Sequence, residues 1–463
     1  MTVVTEHTDG RAYREAIERL LAEEWRFGGL HATGGGVVRA LFVDRAGATR
    51  LESLRETHVP TIVDLAPAAG WDEREAHDAH GVRFDGHEPL RPLLAHADGW
   101  ITPVAGVDPY EVAVGPVHAG VIESGHFRFH VVGDRILHVD ARLFYKHRGL
   151  ERAAEGHALA DAIVFPGRAC AGCAVANTVA YAQACEALLG VGGDREVSRA
   201  RTILLELERV WNTFNDIGAI CAGVGLAAGT SRFLALTEEA RALDERLTGH
   251  RFLFGTVAVG GSPLSLDRTA VAHARDELAR LRDESTRAWR ELLFNGSFMD
   301  RMPGIGVVTP ETANALGAVG PAARAAGVPE DARTQSPALA YDAFEPASLR
   351  RMAGDVQSRL EQRALELLPT FDLLDRLLDR PLRPVSLPRT ETPVAIGVGR
   401  VESPRGATSC AVERDGNRVG RLRLRTGSYA NWPVLARAAV GELLPDFPLV
   451  NKSFELCYAC VDR

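Results

Sequence analysis

Two Cys-x-x-Cys pairs constrain this chain more than any other feature of its sequence. One is Cys170 and Cys173, in the stretch FPGRACAGC, and the other is Cys457 and Cys460, in the closing stretch SFELCYACVDR. Thiolates are soft ligands that suit zinc, iron–sulfur clusters, nickel and copper(I), and two pairs together supply four of them. If they hold one metal centre, the fold must bring the middle of the chain and its last residues to the same point.

Other interpretations of the cysteines remain open. Structural zinc sites are usually compact, because the metal replaces a missing core, so the wide separation favours a centre that joins the ends of a large helical core. A structural zinc site and two unrelated, inert pairs are the alternatives. The odd count of seven cysteines argues against a disulfide framework, and we expect Cys185, Cys221 and Cys410 to be small buried hydrophobes.

Composition and charge exclude several classes of protein. The chain has 463 residues, a formal net charge of −8 and a pI near 6.0, which argues against nucleic acid as a partner. It has no apolar run of about 18 residues and no recognisable signal peptide at its start. We therefore expect a cytoplasmic protein of two or three domains that reaches a membrane only through partner subunits.

Hydrophobic periodicity predicts an α+β fold in two domains. Residues 1–95 are predicted as a small α+β domain, residues 96–110 as a linker and residues 111–463 as a mainly helical domain with peripheral β-structure. In the first domain, TDGRAYREAIERLLAEEW indicates an amphipathic helix, and GGVVRALFV and PTIVDLA indicate strands. Its acidic stretch WDEREAHDAHG is predicted to be a solvated face or a docking surface for another subunit.

Turn signals and helical stripes place further elements in the second domain. Gly133-Asp134 predicts one hairpin and Asp415-Gly416 another. Glu208, on the longest predicted helix, is expected to pair with an arginine. The predicted helices are Ala174–Leu189, Glu196–Cys221, Arg268–Leu293 and Pro346–Leu367, with a short one around Trp432–Leu443.

Several motifs follow one another in an order that is specific to one protein family. They are GPVHAGVIESGHFRF, DARLFYKHRGLE, RACAGC, RTILLELERVWN, GIGVVTPETANALGAVGPAARAAG, SPRG, SYANWP and CYACVDR. Together they resemble the large subunit of nickel–iron hydrogenases of the membrane-bound, complex-I-related branch, which includes the formate hydrogenlyase large subunit. The earlier ERE…HGVRFDGHEPLR resembles the small C-type component of NADH-quinone oxidoreductase (complex I), fused ahead of a D-type domain. The resemblance covers nearly the whole chain.

In this family, the resemblance implies, four cysteines hold a nickel ion, and two of them bridge to an iron that carries carbon monoxide and cyanide. The matching ligands are Cys170, Cys173, Cys457 and Cys460, with Cys173 and Cys460 as the bridging pair. An iron–sulfur cluster is then expected in a partner subunit, because this chain has no spare cysteines for one.

The resemblance also implies roles for four further residues. Glu123 matches a proton-relaying glutamate beside the nickel thiolate, and Arg405 matches an arginine poised over the metals, so both are candidate catalytic residues. Glu151 matches a buried acid that binds a magnesium-like ion in some relatives. His126 stands where quinone-reducing relatives carry a histidine near the quinone headgroup, so it is expected to be a structural hydrogen-bonder or a cofactor-binding residue.

Three departures from the family pattern lie close to the cysteines. Ala171 replaces a glycine, Asn177 replaces a histidine four residues after Cys173, and Glu455-Leu456 replaces Asp-Pro. Asparagine can still donate hydrogen bonds but cannot titrate. The four cysteines are retained, while the changes keep a scaffold without catalysis open as an alternative.

The leading hypothesis is the catalytic large subunit of a complex-I-like hydrogenase, an oxidoreductase that interconverts dihydrogen with protons and electrons. Its expected partners are an iron–sulfur small subunit, integral membrane subunits and a formate dehydrogenase or ferredoxin-type electron module, at the inner face of the cell membrane. One alternative is a D-type, quinone-site component of an NADH-quinone oxidoreductase, with NAD and quinone binding. The other is a non-catalytic scaffold with a degenerate or zinc-filled thiolate site.

Overall fold

The computed structural model describes most of the chain and mixes helices with several small sheets. The described residues are 2–33, 35–95, 99–105, 108–119, 123–336, 338–342, 344–350, 352–390, 392 and 394–463. The linker predicted at 96–110 lies partly outside them, so its boundaries stay a prediction.

The first part of the chain forms a four-stranded sheet with two helices. Its strands lie in the order β1-β4-β3-β2, with β1 parallel to β4 and the other pairs antiparallel. Helix α1 buries Tyr13, Ile17 and Leu20 on one face, as the amphipathic pattern predicts. The elements are β1 (Val3–His7), α1 (Gly10–Ala22), β2 (Arg26–Ala32), β3 (Val37–Val43), β4 (Thr49–Arg55), β5 (His58–Pro60), α2 (Gly70–His80) and β6 (Arg83–Asp85).

The strand predicted in PTIVDLA is wrong beyond its first residue. Only Pro60 belongs to a strand, the three-residue β5. The Thr61 hydroxyl and the Ile62 backbone N–H both donate to the buried carboxylate of Glu73, at 2.7 and 2.8 Å. Because a side chain takes these donors, the chain turns instead of continuing into a sheet.

The acidic stretch WDEREAHDAHG is not a solvated face, so that alternative is wrong, and its role as a docking surface stays a prediction. It forms helix α2, in which Asp72, Glu73 and Glu75 are all buried. Asp72 and Glu75 form ion pairs with arginines from the far end of the chain. The acids of α2 therefore attach the first part of the chain to the rest of the protein.

A three-stranded antiparallel sheet and two short helices follow. Strands β8 and β9 are joined by Gly133 and Asp134, which confirms the predicted hairpin. Phe127 and Phe129 on β8 pack against Phe447 in a second hydrophobic core. The elements are β7 (Tyr110–Val114), β8 (His126–Val132), β9 (Arg135–Arg142), α3 (Leu150–Ala154) and α4 (Val164–Gly167).

Helices dominate the middle of the chain and enclose the largest hydrophobic core. The 30-residue helix α6 is central, and its side chains are buried on nearly every face over its length. The elements are α5 (Ala174–Leu188), α6 (Arg195–Val224), α7 (Ala227–Thr248), β10 (Gly261–Ser262), α8 (Arg268–Leu293), α9 (Gly296–Met299), α10 (Pro310–Ala315), α11 (Gly320–Ala325) and α12 (Val356–Leu377).

A second three-stranded antiparallel sheet lies across α5 near the end of the chain. Gly397 and Gly399 on β12 approach α5 so closely that a Cβ would come within 2.0 Å of the Ala184 oxygen and 1.9 Å of the Ala180 oxygen. The hairpin predicted at Asp415-Gly416 is confirmed. The elements are β11 (Val385–Ser386), β12 (Ile396–Ser403), β13 (Gly406–Asp415), β14 (Arg418–Arg425), α13 (Gly427–Ala438), α14 (Phe447–Phe454) and α15 (Ala459–Asp462).

Side-chain caps account for the helix boundaries that the sequence pattern misplaces. The helix predicted at Pro346–Leu367 begins ten residues later, where the Asp355 carboxylate accepts the Ser358 backbone N–H at 2.8 Å. The helix predicted at Trp432–Leu443 begins five residues earlier, after Thr426 caps Tyr429. Hydrophobic periodicity alone does not locate these caps.

In the part of the chain that the structure describes, no single helix is long and apolar enough to cross a membrane. One pair of helical segments, Asp161–Gly167 and Ala171–Leu188, passes the same length and composition test when taken together, with a bend of 114° between them.

Candidate metal centre

The fold brings the four predicted cysteines to one point. Their sulfur atoms all lie within 4.8 Å of one another. Among the described residues, this is the one group of three or more His, Cys, Asp or Glu side chains that could share an ion. Thiolates at metal–sulfur distances of about 2.3 Å surround one metal ion at this spacing, so the donor set fits a soft metal.

The first cysteine pair lies in a loop fixed by helix α6. Asn212 donates to the backbone oxygen of Gly172, between the two cysteines, at 2.9 Å. On the other side, Arg148 donates to the backbone oxygens of Arg168 and Ala169. The loop therefore presents its sulfurs from a backbone that is held on both sides.

Glu208 holds the start of helix α5, directly after Cys173. Its carboxylate accepts the backbone N–H groups of Val175 and Ala176 at 2.7 and 3.2 Å, so it caps the helix, and the predicted pairing with an arginine is wrong. Burial raises the pKa of Glu208 to about 8. Asn177, one helical turn after Cys173, is fully buried, and neither polar atom of its amide has a hydrogen-bond partner among the described residues.

The tail that carries the second pair is hydrogen-bonded to two other parts of the chain, around residues 426–428 and at Phe144. Ser428 accepts the Cys457 backbone N–H at 3.0 Å, and Thr426 donates to the Cys460 oxygen at 3.2 Å. The Asp462 carboxylate accepts the backbone N–H of Phe144 at 2.7 Å. These bonds attach the tail to the start of helix α13 and to the segment that follows β9.

Arg405 lies close enough to the cysteines for the charges of Cys457 and Cys173 to act on it. It is buried, forms an ion pair with Asp216, and donates to the Asn212 amide oxygen at 3.2 Å. Hydrogen bonds from the other thiols, Cys170 first, hold the pKa of Cys457 well below its ordinary value, and Arg405 adds to this effect. The same thiol–thiol hydrogen bonds raise the pKa of Cys173 and of Cys460 well above the ordinary value, so among these three free thiols the thiolate is favoured at Cys457.

Glu123 reaches the tail from the segment before β8. Its carboxylate accepts the backbone N–H of Ala459, next to Cys460, at 2.7 Å. Burial raises its pKa, and the charge of Cys457 adds to the shift. Glu123 can therefore hold a proton at the edge of the cysteine group.

Glu151 and His126 lie outside that group of potential ligands. Glu151 accepts hydrogen bonds from the Arg463 guanidinium at 2.7 Å and from the Leu424 backbone N–H at 2.8 Å. The positive charge beside Glu151 is therefore an arginine side chain, where the resemblance implies a magnesium-like ion. His126 packs against the Trp100 ring with the centroids 5.2 Å apart, and burial lowers its pKa. Magnesium binding and quinone binding at these residues stay predictions.

A buried polar stripe on helix α6 is absent from the sequence-based prediction of the site. Glu208, Asn212 and Asp216 are buried and spaced four residues apart on helix α6, so they share one face. Glu208 caps α5, Asn212 holds the cysteine loop, and Asp216 anchors Arg405. The four-residue spacing is visible in the sequence and is the signal that could have found them.

Comparisons with known proteins agree with these observations. The sequence profile described as "Respiratory-chain NADH dehydrogenase, 49 Kd subunit" matches residues 224–389 and 385–463. The profile described as "Respiratory-chain NADH dehydrogenase, 30 Kd subunit" matches residues 38–108.

Curated relatives include both hydrogenases and quinone oxidoreductases. The chain is 30% identical over 437 residues to formate hydrogenlyase subunit 5 of Escherichia coli (strain K12), covering 87% of this chain and 77% of that protein. It is also 30% identical over 359 residues to an NADH-quinone oxidoreductase subunit of Salinispora arenicola (strain CNS-205), covering 76% of this chain and 93% of that one.

A solved structure has the same fold. One chain of the membrane-bound sulfane sulfur reductase, an archaeal respiratory membrane complex, aligns with a TM-score of 0.71 and 27% identity. The alignment covers 77% of this chain and 99% of that one.

Proposed function

Since this chain belongs to the family of the 49-kDa subunit of respiratory-chain NADH dehydrogenase, fused to a 30-kDa-type part and related to membrane-bound hydrogenase large subunits, we propose that its four cysteines hold a nickel–iron centre with carbon monoxide and cyanide on iron. The enzyme would interconvert dihydrogen with protons and electrons. One observation carries the proposal: four sulfur atoms from two distant segments lie within 4.8 Å of one another.

Such a centre, when bound, supplies the redox chemistry of dihydrogen cleavage, and the residues around it manage the protons. Cleavage releases a proton that needs a base inside a dry site. Glu123 is proposed as the carboxylate that takes this proton from the site, because burial raises its pKa and so strengthens it as a base. Arg405 remains charged and is proposed to stabilise the thiolates electrostatically.

The proposal includes the partners that this activity needs. Electrons would pass to an iron–sulfur cluster in a small subunit, and integral membrane subunits would hold the assembly at the inner face of the membrane. The relatives named as parts of formate hydrogenlyase and of a respiratory membrane complex support this arrangement. A formate dehydrogenase or ferredoxin-type module is the proposed source or acceptor of the electrons.

The NADH-quinone oxidoreductase relatives support a second candidate, a subunit that lines a quinone site. His126, packed on Trp100, would then lie near the quinone headgroup. A zinc-filled scaffold is the third candidate, supported by the unpartnered amide of Asn177 and by Glu455, which stand where the hydrogenase pattern has histidine and aspartate.

Hydrogen-dependent dye reduction by the purified complex tests the proposal. We expect turnover that Glu123→Gln reduces at least tenfold, because the proton then lacks its relay. Glu111→Gln, an exposed acid on β7 paired with Arg128, is the control and leaves turnover unchanged. Quinone-dependent turnover without hydrogen turnover would replace the proposal with the second candidate, and no turnover with bound zinc would replace it with the third.

A further inference from the structure

A buried cluster of charges connects the first part of the chain to the tail that carries Cys457 and Cys460. We call it the Arg463 cluster, and its members are Asp72, Glu75, Glu151, Arg423, Arg425, Tyr429 and Arg463. Arg463 is only 2% exposed, although it is the last residue of the sequence.

Two carboxylates from different parts of the chain hold the Arg463 guanidinium. Its Nε donates to Glu151 at 2.7 Å, and its Nη2 donates to Glu75 on helix α2. The guanidinium also stacks over the ring of Tyr429, with 4.9 Å to the ring centroid. These contacts compensate the charge of the Arg463 guanidinium and also fix its orientation.

The side-chain charges of the cluster balance. Arg423 donates to Glu75 at 2.6 Å, and Arg425 lies 3.1 Å from Asp72, so three acids face three arginines. Burial opposes the ionisation of Glu75, but Arg423 and Arg463 outweigh it and hold the pKa of Glu75 below its ordinary value. Removal of one acid leaves the buried cluster with one uncompensated positive charge, which is strongly unfavourable.

The short helix α15 connects the Arg463 cluster to Cys460. Arg463 follows Cys460 by three residues, directly after the short helix α15, and backbone bonds tie this turn to Tyr458 and Ala459. A displacement of the Arg463 side chain would therefore shift the backbone of the single helical turn that carries Cys460.

We propose that Glu75, in the first part of the chain, is a positioning residue for the four-cysteine site and acts through Arg463. The N-terminal sheet and its helix α2 are then part of the structure that sets the spacing of the four sulfurs, in addition to any docking role. This inference rests on the proposed use of the four cysteines as ligands, and it does not depend on which metal they hold.

Hydrogen–deuterium exchange of the full-length chain, prepared without metal, tests the mechanical part of the proposal. We expect Glu75→Gln and Arg463→Gln to raise the exchange rates of the Val461, Asp462 and Arg463 amides at least tenfold. Arg463→Lys keeps the charge but loses one of the two bonds, so it should restore part of the protection.

The matched control is Glu73→Gln. Glu73 is a buried acid on the same helix, but it bonds Thr61, Ile62 and His87 within the first part of the chain. We expect this variant to leave tail exchange unchanged. If Glu73→Gln loosens the tail as much as Glu75→Gln does, the effect comes from the fold of that part of the chain, and the proposal is wrong.

The visible spectrum of cobalt(II) bound to the full-length chain tests the effect on the site. Sulfur–cobalt bands report the geometry of the four sulfurs directly. We expect Glu75→Gln to shift them and to weaken cobalt binding at least tenfold, and Glu73→Gln to do neither. An unchanged spectrum and affinity in Glu75→Gln would overturn the proposal.

Failure of this proposal and failure of the proposed function give different results. Loosened tail amides in a protein that binds only zinc would support Glu75 as a positioning residue and contradict the hydrogenase function. A nickel–iron centre that Glu75→Gln leaves unaltered would do the reverse.

Discussion

Glu208 Oε1 on helix α6 accepts the backbone N–H of Val175 at 2.7 Å, two residues after Cys173. A buried carboxylate of the longest helix thus fixes the start of the helix that follows the first cysteine pair. Because the same face of α6 also presents Asn212 and Asp216, one helix organises the cysteine loop, the helix after it and Arg405.

Glu208→Gln should destabilise the protein by about 1–3 kcal/mol. Either carboxyl oxygen of Glu208 can accept a hydrogen bond whether or not the group is protonated, but an amide NH2 cannot, so one of the two backbone N–H groups then has no partner. Urea unfolding measures the change. Glu15→Gln, in an exposed pair with Arg11, should change the free energy of unfolding by less than about 0.5 kcal/mol. Equal effects of the two variants would contradict the capping role.

The raised pKa of Glu208 also predicts a pH dependence of stability. Between the ordinary value of 4.5 and about 8, the folded protein keeps a proton on Glu208 that the unfolded chain releases. The free energy of unfolding of the metal-free protein should therefore fall as the pH rises through this window, by up to about 1.4 kcal/mol per pH unit. Glu208→Gln should remove this contribution, and an unchanged slope would show that Glu208 is charged in the folded state.

Asp216→Asn should lower the free energy of unfolding by about 3–5 kcal/mol. Asp216 pairs with both Arg405 and Arg363, so its loss leaves two buried arginines without a carboxylate. Thermal and denaturant unfolding measure the loss. Asp64→Asn, which breaks an exposed pair with Arg14, is the control and should cost less than about 1 kcal/mol. A loss in Asp216→Asn as small as that of the control would show that solvent reaches the pair.

Gly399→Ala should destabilise the contact of β12 with α5. The new methyl group would lie 1.9 Å from the Ala180 backbone oxygen, so the strand must move away from the helix. We expect a loss of at least about 2 kcal/mol in the free energy of unfolding. Gly193→Ala is the control, because a Cβ at Gly193 meets nothing within 4 Å. A neutral Gly399→Ala would mean that strand and helix lie farther apart in solution.

Local signals in the sequence predict much of the fold. Helix α8 spans the predicted Arg268–Leu293, and the hairpin at Gly133-Asp134 is found from its turn. Both depend on residues that are close together in the chain. The convergence of the two cysteine pairs is also predictable, because four soft ligands have one common use.

Interactions between distant residues account for what the sequence does not predict. The acids of α2 resemble a solvated face until the arginines of β14 and Arg463 are brought against them, and those arginines lie more than 300 residues further along. Glu208 is expected to pair with an arginine, but the fold offers it the free N–H groups at the start of α5. Neither partner can be identified from local pattern.

The central claim is that the four cysteines hold a nickel–iron centre, and metal analysis with infrared spectroscopy of the purified complex tests it most directly. The account predicts one nickel and at least one iron per chain of this protein, with infrared bands of bound carbon monoxide and cyanide that are lost in Cys173→Ser. Zinc alone, or no metal on the four cysteines, would contradict it.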